Sequence, residues 1–136
     1  MTMITATEAS PWSVVVVDDR PTNRAVYGQL IWGALDGVTV HGFSDPGEAL
    51  MWLHEHTPDL VVTDFTMPVM DGAGFIARLR AQAADASVPV VVLTAHDDRE
   101  SRRQARKAGA TDSLVSPVVN AGAIGGSCLA TRWPVR

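Results

Sequence analysis

From Trp12 onward, apolar positions come in blocks with two different periods. Val14 to Val17 is an unbroken β-branched run ended by Asp18-Asp19, which predicts a strand buried on both faces, as strands of parallel sheets are. Beyond Pro21, Val26, Tyr27, Leu30, Ile31, Ala34 and Leu35 recur at helical spacing and Gly37 closes the segment, which predicts a helix with that face inward. The unit then repeats. Val38 to Phe43 reads as a second strand, and Asp45-Pro46-Gly47-Glu48 as a helix start, with Asp45 the cap, Pro46 at the first helical position and Glu48 completing a capping box. That helix runs to about His56. Leu60 to Thr63 is a third strand with Asp64 at its C-terminal end, and the Pro/Gly loop Met67 to Gly72 leads to a helix that buries Phe75, Ile76 and Leu79. Val88 to Leu93 is a fourth strand, with Pro89 near its start, where proline is tolerated. A polar helix from about Asp98 to Ala108, with Ala105 and Ala108 as its apolar contacts, stops at Gly109, and Asp112 to Val115 is a short fifth strand.

Strands that alternate with helices predict a doubly wound α/β domain around a parallel sheet, because consecutive parallel strands need helical crossovers. Right-handed crossovers place the helices on both faces. Residues 12–118 form this domain. Residues 1–11 are small and polar with no sustained period and are expected to be a flexible leader, native or vector-derived, since Met1 to Thr5 resembles the start of the β-galactosidase carried by cloning vectors. Residues 119–136 form a glycine-rich tail without a clean amphipathic stripe, so a full fifth helix is not predicted there.

A chain of 136 residues is one domain's worth, and 46% apolar with 19% charged residues is ordinary globular usage. The net charge of −4 favours neither nucleic acid nor an anionic membrane as a direct partner. Cys128, the single cysteine, can form no internal disulfide; with no apolar run of membrane-spanning length and no basic secretory signal, the chain is expected in the cytoplasm.

In such a sheet the strand C-termini share one edge, where ligands bind near the switch in strand order. Asp18 and Asp19 end the first strand, Asp64 the third and Thr94 the fourth. An Asp-Asp pair alone is most simply a cap for the following helix. Joined by Asp64, it becomes a carboxylate cluster whose like charges raise its own pKa values unless a cation is present. Oxygen ligands without thiol or imidazole favour Mg²⁺ or Mn²⁺ over zinc.

The segments VVVVDD, VVTDFTMPVMDG and VVVLTA, in this order and spacing, resemble the receiver domain of bacterial two-component response regulators, from about Ser13 to Val118. The resemblance implies a flavodoxin-like fold with sheet order 2-1-3-4-5. It implies that Asp64 accepts a phosphoryl group from a sensor histidine kinase or phosphotransfer protein, that Asp18 and Asp19 hold Mg²⁺ with Asp64, and that the Thr66 backbone carbonyl is a further ligand. Thr94 is then the switch hydroxyl. Thr66 and His96, each two residues beyond a site residue, are candidates for tuning the rate. A downstream effector or a homodimer would carry the output. The chemistry is self-consistent, since a metal-neutralised phosphoryl group can be attacked by a carboxylate to give an acyl phosphate.

The chain also departs from the family. Receivers usually carry a lysine directly before a proline at the end of the fifth strand and an aromatic residue three positions earlier; here Ser116 and Ser113 stand in those places. Lys107, the only lysine, falls on the polar fourth helix. A serine hydroxyl makes no charge-assisted bond of comparable strength, so coupling to output is the exposed step. One reading of the C-terminal part is a truncated or frame-altered remnant. The basic run Arg99, Arg102, Arg103, Arg106 and Lys107 is a solvated helix face or a docking surface for an acidic partner. His41, His54, His56 and His96 lack metal-ligand spacing, and Trp32 and Trp52 are expected to pack. Two alternatives stand beside a phosphoacceptor switch without conventional turnover. One is a degenerate pseudo-receiver that serves as a protein-interaction module, favoured by Ser113 and Ser116. The other is a phosphatase of the haloacid dehalogenase type, which would want a second aspartate where Thr66 stands.

Overall fold

The computed structural model describes residues 12–34, 37–82, 87–94 and 99–115. The elements in chain order are β1 (Trp12–Val17), α1 (Pro21–Ala34), β2 (Val38–Phe43), α2 (Pro46–Glu55), β3 (Leu60–Asp64), α3 (Gly72–Ala81), β4 (Val90–Thr94), α4 (Arg99–Ala108) and β5 (Asp112–Val115). The five strands form one sheet in the order β2-β1-β3-β4-β5, every pairing parallel. This is the doubly wound parallel sheet that the strand–helix alternation predicts, in the flavodoxin-like order that the resemblance implies. The tail and the leader lie outside the described residues.

Alternate residues of each strand feed two cores. Val14, Val16, Leu60, Val62, Val91 and Leu93 face Tyr27 and Ile31 of α1, while Val15, Val17, Val61, Val90 and Val92 face a layer containing Ala49, Leu53, Phe75, Ile76, Leu79 and Ala105. The expected α3 face of Phe75, Ile76 and Leu79 is fully buried. On α1 the buried stripe is narrower than predicted: Val26 and Trp32 are 47% and 63% exposed. The reason is angular, since at about 100° per residue both positions lie about 100° or more around the helix from Tyr27.

Local chemistry sets the element ends. β1 begins at Trp12, because Trp12 and Ser13 pair with Val38 and Thr39 of β2. Strand β4 begins only at Val90, since Pro89 has no N–H for the ladder; its carbonyl still accepts from Val61. Asp45 caps α2 through the Gly47 amide at 3.1 Å, the second helical position rather than the third that a capping box uses. Asp71 caps α3 through Gly74 N–H at 2.8 Å. Gly109, at φ +114°, ends α4.

The β3–α3 loop is tight. Gly72 N–H donates to the Phe65 carbonyl at 2.7 Å, and a Cβ at Gly72 would stand 2.7 Å from the Asp64 carbonyl oxygen and 2.9 Å from Phe65 Cα. Val69, fully exposed at the loop's tip, has a φ of 72°, a region that β-branched side chains disfavour.

Candidate functional site

Register builds the site. Val17 pairs with Thr63 and Asp64 with Leu93, so the residues that follow β1 and end β3 emerge side by side at the carboxyl edge. Asp18 is anchored by its own backbone: its N–H donates to the Phe43 carbonyl at 3.1 Å, and its carbonyl accepts from Arg24 Nη1 at 2.7 Å. Phe65 N–H, just beyond Asp64, donates to the Leu93 carbonyl at 2.9 Å.

The carboxylates of Asp18, Asp19 and Asp64 each offer an oxygen, and these three atoms lie within 4.8 Å of one another. Asp18 and Asp64 are buried and Asp19 is half-buried. Burial first, then the Asp18 charge, raises the Asp64 carboxyl above the usual range; Arg20 and the backbone amides of Phe65 and Thr66 pull the other way. Asp18 Oδ2 is buried and finds no hydrogen-bond donor among the described residues. An orphaned carboxylate oxygen beside two more carboxylates is a donor set for a hard divalent cation, so the residues fit such an ion.

Arg20 closes the cluster. Its Nη2 donates to Asp64 Oδ2 at 3.2 Å, its Nε lies 3.7 Å from Asp18 Oδ1, and its backbone N–H donates to that same oxygen at 2.9 Å. Burial works against the Arg20 charge, but Asp64, Asp18 and Asp19 outweigh it and hold the guanidinium's pKa above its ordinary value. Arg20 is a site residue that the sequence pattern does not predict; its place directly after Asp18-Asp19 is only a hint.

Thr94 is buried at the end of β4, on the same edge. Thr66 is exposed in the loop two residues past Asp64. Ser113 is half-buried on β5 opposite Val92, and its N–H donates to Asp112 Oδ1 at 2.8 Å. Lys107 is exposed on α4. Ser116 and His96 lie outside the described residues. Away from this edge, Trp52 packs as expected, and with a feature the sequence did not signal: His56 stacks on it at 4.2 Å and His41 lies 4.6 Å away.

A family model described as the response regulator receiver domain matches residues 14–122. The chain belongs to the response regulator receiver domain family. It is thus a signalling domain of two-component phosphorelay systems. The receiver is 34% identical over 106 residues to the cyclic di-GMP phosphodiesterase response regulator RpfG of Xanthomonas campestris, covering 78% of this chain and 28% of that protein. It is 41% identical over 110 residues to the transcriptional regulatory protein PrrA of Mycobacterium tuberculosis, covering 81% of this chain and 45% of that one. The chain therefore spans less than half of either relative. Among solved structures, the receiver domain of sensor histidine kinase PA1611 from Pseudomonas aeruginosa, described with a magnesium ion coordinated in its active-site cleft, superposes with a TM-score of 0.77 at 26% identity, covering 90% of this chain and 96% of that one. No helix among the described residues is long and apolar enough to cross a membrane.

Proposed function

We propose that this receiver accepts a phosphoryl group on Asp64 from a sensor histidine kinase or phosphotransfer protein in the cytoplasm. The observation that carries this reading is the convergence of the Asp18, Asp19 and Asp64 oxygens within 4.8 Å, with Asp18 Oδ2 left without a donor among the described residues. Asp18, Asp19, Asp64 and the Thr66 carbonyl would hold Mg²⁺, with Mn²⁺ as a substitute; the magnesium in the Pseudomonas relative's description supports this choice. When bound, the ion neutralises phosphoryl oxygens. Asp64 is the nucleophile because it ends β3, where the loop leaves it facing the edge. Its carboxyl is held above the usual range by burial and the Asp18 charge, so a cation close by favours the ionised, nucleophilic form. The new group carries about −1.5 to −2 charge in place of the carboxylate's single charge, with strong acceptor oxygens that draw the Thr94 hydroxyl inward. Thr66 and His96 tune the lifetime of the phosphoryl group. Output passes to a downstream effector or a homodimer. The test is intact-mass measurement after treatment with acetyl phosphate and Mg²⁺: one added phosphoryl group is expected in the natural chain and none in Asp64→Asn, whereas uptake persisting in the variant places the acceptor elsewhere.

Ser113 favours a second reading, the pseudo-receiver. It is a small residue on β5 where receivers carry a ring, so nothing follows Thr94 inward. Beryllofluoride, a phosphoryl mimic, is then expected to move few amide resonances near β5 in the natural chain and many in Ser113→Phe/Ser116→Lys. Widespread shifts in the natural chain would remove the pseudo-receiver reading.

A further inference from the structure

Phosphoryl transfer to Asp64 concentrates negative charge on an edge that already carries three carboxylates, and the chain has a serine at the place of the usual cation. The single lysine, Lys107, is exposed on α4. We propose that Arg20 is the cationic partner of the phosphoryl group in this receiver. The proposal rests on the reading of Asp64 as the acceptor.

Position carries the argument. Arg20 Nη2 already donates to Asp64 Oδ2 at 3.2 Å, so the guanidinium stands beside the atoms that react. Its backbone is pinned by the N–H bond to Asp18 Oδ1. Asn23 lies beside its head: with the amide reversed so that its oxygen faces Arg20, that oxygen would accept from Nε at 3.2 Å and Nη2 at 3.1 Å. Two other arginines, Arg24 and Arg80, are committed to backbone. Arg24 donates to the Asp18 carbonyl, and Arg80 donates to the carbonyls of Gly109 and Val88. A guanidinium carries five N–H donors, stays charged at any working pH and matches phosphoryl oxygens better than an ammonium does. The side chain is 55% exposed, so it has room to shift as a cation enters the cluster.

The transfer balances without a further reactant. With acetyl phosphate as donor, an ionised Asp64 oxygen bonds to phosphorus while the bond from phosphorus to the acetate oxygen breaks. Acetate leaves with the electron pair, and no proton is released. Arg20 gains in this step, because its donors exchange one carboxylate oxygen for the oxygens of a dianion.

The same placement gives a signature that a structural role lacks. While it pairs with Asp18 and Asp64, Arg20 competes with a divalent cation for their oxygens; on the phosphorylated site it helps. Removing it should move the two affinities in opposite directions. Calorimetry on the full chain is expected to show Arg20→Ala binding Mg²⁺ at least as tightly as the natural chain, yet binding beryllofluoride in saturating Mg²⁺ about tenfold more weakly, the worth of one charge-assisted hydrogen bond. Labelling by acetyl phosphate, followed by intact mass, should slow to a similar degree, and Arg20→Lys should fall between the two. Unchanged beryllofluoride affinity and labelling in Arg20→Ala overturn the proposal. So does a parallel loss of Mg²⁺, beryllofluoride and melting temperature, which marks a structural residue. If the natural chain takes up no phosphoryl group, or Asp64→Asn still takes one, the acceptor reading fails and the proposal with it; uptake by the natural chain alone keeps that reading whatever Arg20 does.

Discussion

The two ends of the site edge are built differently. On the amino-terminal side, every residue of β3 is buried and Val14 to Val17 of β1 are sealed between two helical layers. Their carboxylates are fixed by register and by backbone bonds to β2 and β4. On the carboxyl-terminal side, α4 buries only Ala105 among its residues, and β5 carries an exposed Asp112 beside half-buried Ser113 and Leu114. Arg99, Arg102, Arg103 and Arg106 line a groove of about 550 Å³ with Asp112 and Ser113. A densely packed strand transmits any change in its neighbours to the group at its tip, whereas a polar, thinly packed element absorbs substitution. The carboxylate cluster is thus tied to the core, and the α4–β5 face is free to vary without loss of the fold.

The largest effect that tests this contrast comes from pairing Phe75→Ala with Lys107→Ala. Phe75 is fully buried in the core cluster that includes Val61 of β3, and its truncation is expected to cost about 3–5 kcal/mol. Lys107 is exposed on α4, so its loss should stay within about 0.5 kcal/mol. Urea unfolding of both variants checks the pair. Similar midpoints would erase the difference between the two ends.

Next in size is Gly72→Ala. The new methyl would meet backbone atoms of Asp64 and Phe65, which cannot swing aside as a side chain would. A cost of about 1–3 kcal/mol is expected, together with weaker Mg²⁺ binding, because the displaced atoms carry Asp64. Thermal unfolding and calorimetry read the two effects separately. A stability loss with unchanged Mg²⁺ affinity would show that the loop supports the fold without setting the carboxylates.

Strands and the acidic trio were legible because each rests on strong local signals, whereas the sheet order came from the resemblance to receivers. Four β-branched residues before Asp18 leave no helical reading, and parallel crossovers then dictate which strand ends meet. What depends on direction around a helix was less legible. Val26 and Trp32 sit in a run of apolar residues whose composition does not reveal how narrow a stripe the sheet accepts. Arg20 was missed for a related reason: sequence proximity to two aspartates does not say that its head turns back across the edge to Asp64. The stack of His56 on Trp52, with His41 beside it, joins α2 to the preceding β2 through ring contacts that hydrophobic periodicity does not mark.

The smallest expected effect concerns pH and lies wholly in the amino-terminal half, where His41 sits on β2. Burial, then the neighbouring His56, holds the His41 pKa below its ordinary 6.5. Between that lowered value and 6.5 the folded state binds fewer protons than the unfolded chain, so stability falls as pH drops through this window. Asp64 has the opposite sign: its carboxyl is raised, so without metal its contribution declines as pH rises through the carboxylate range. The two are separated in chelator with the Asp64→Asn background, which leaves the histidine alone. There, the melting temperature should drop between pH 7.5 and 5.5 by no more than about 4 °C, because the ring is partly solvated. His41→Phe should keep the contact with Trp52 and flatten the drop. An equal drop in His41→Phe would move the acid sensitivity to another group and leave the two halves of the sheet alike in their response to pH.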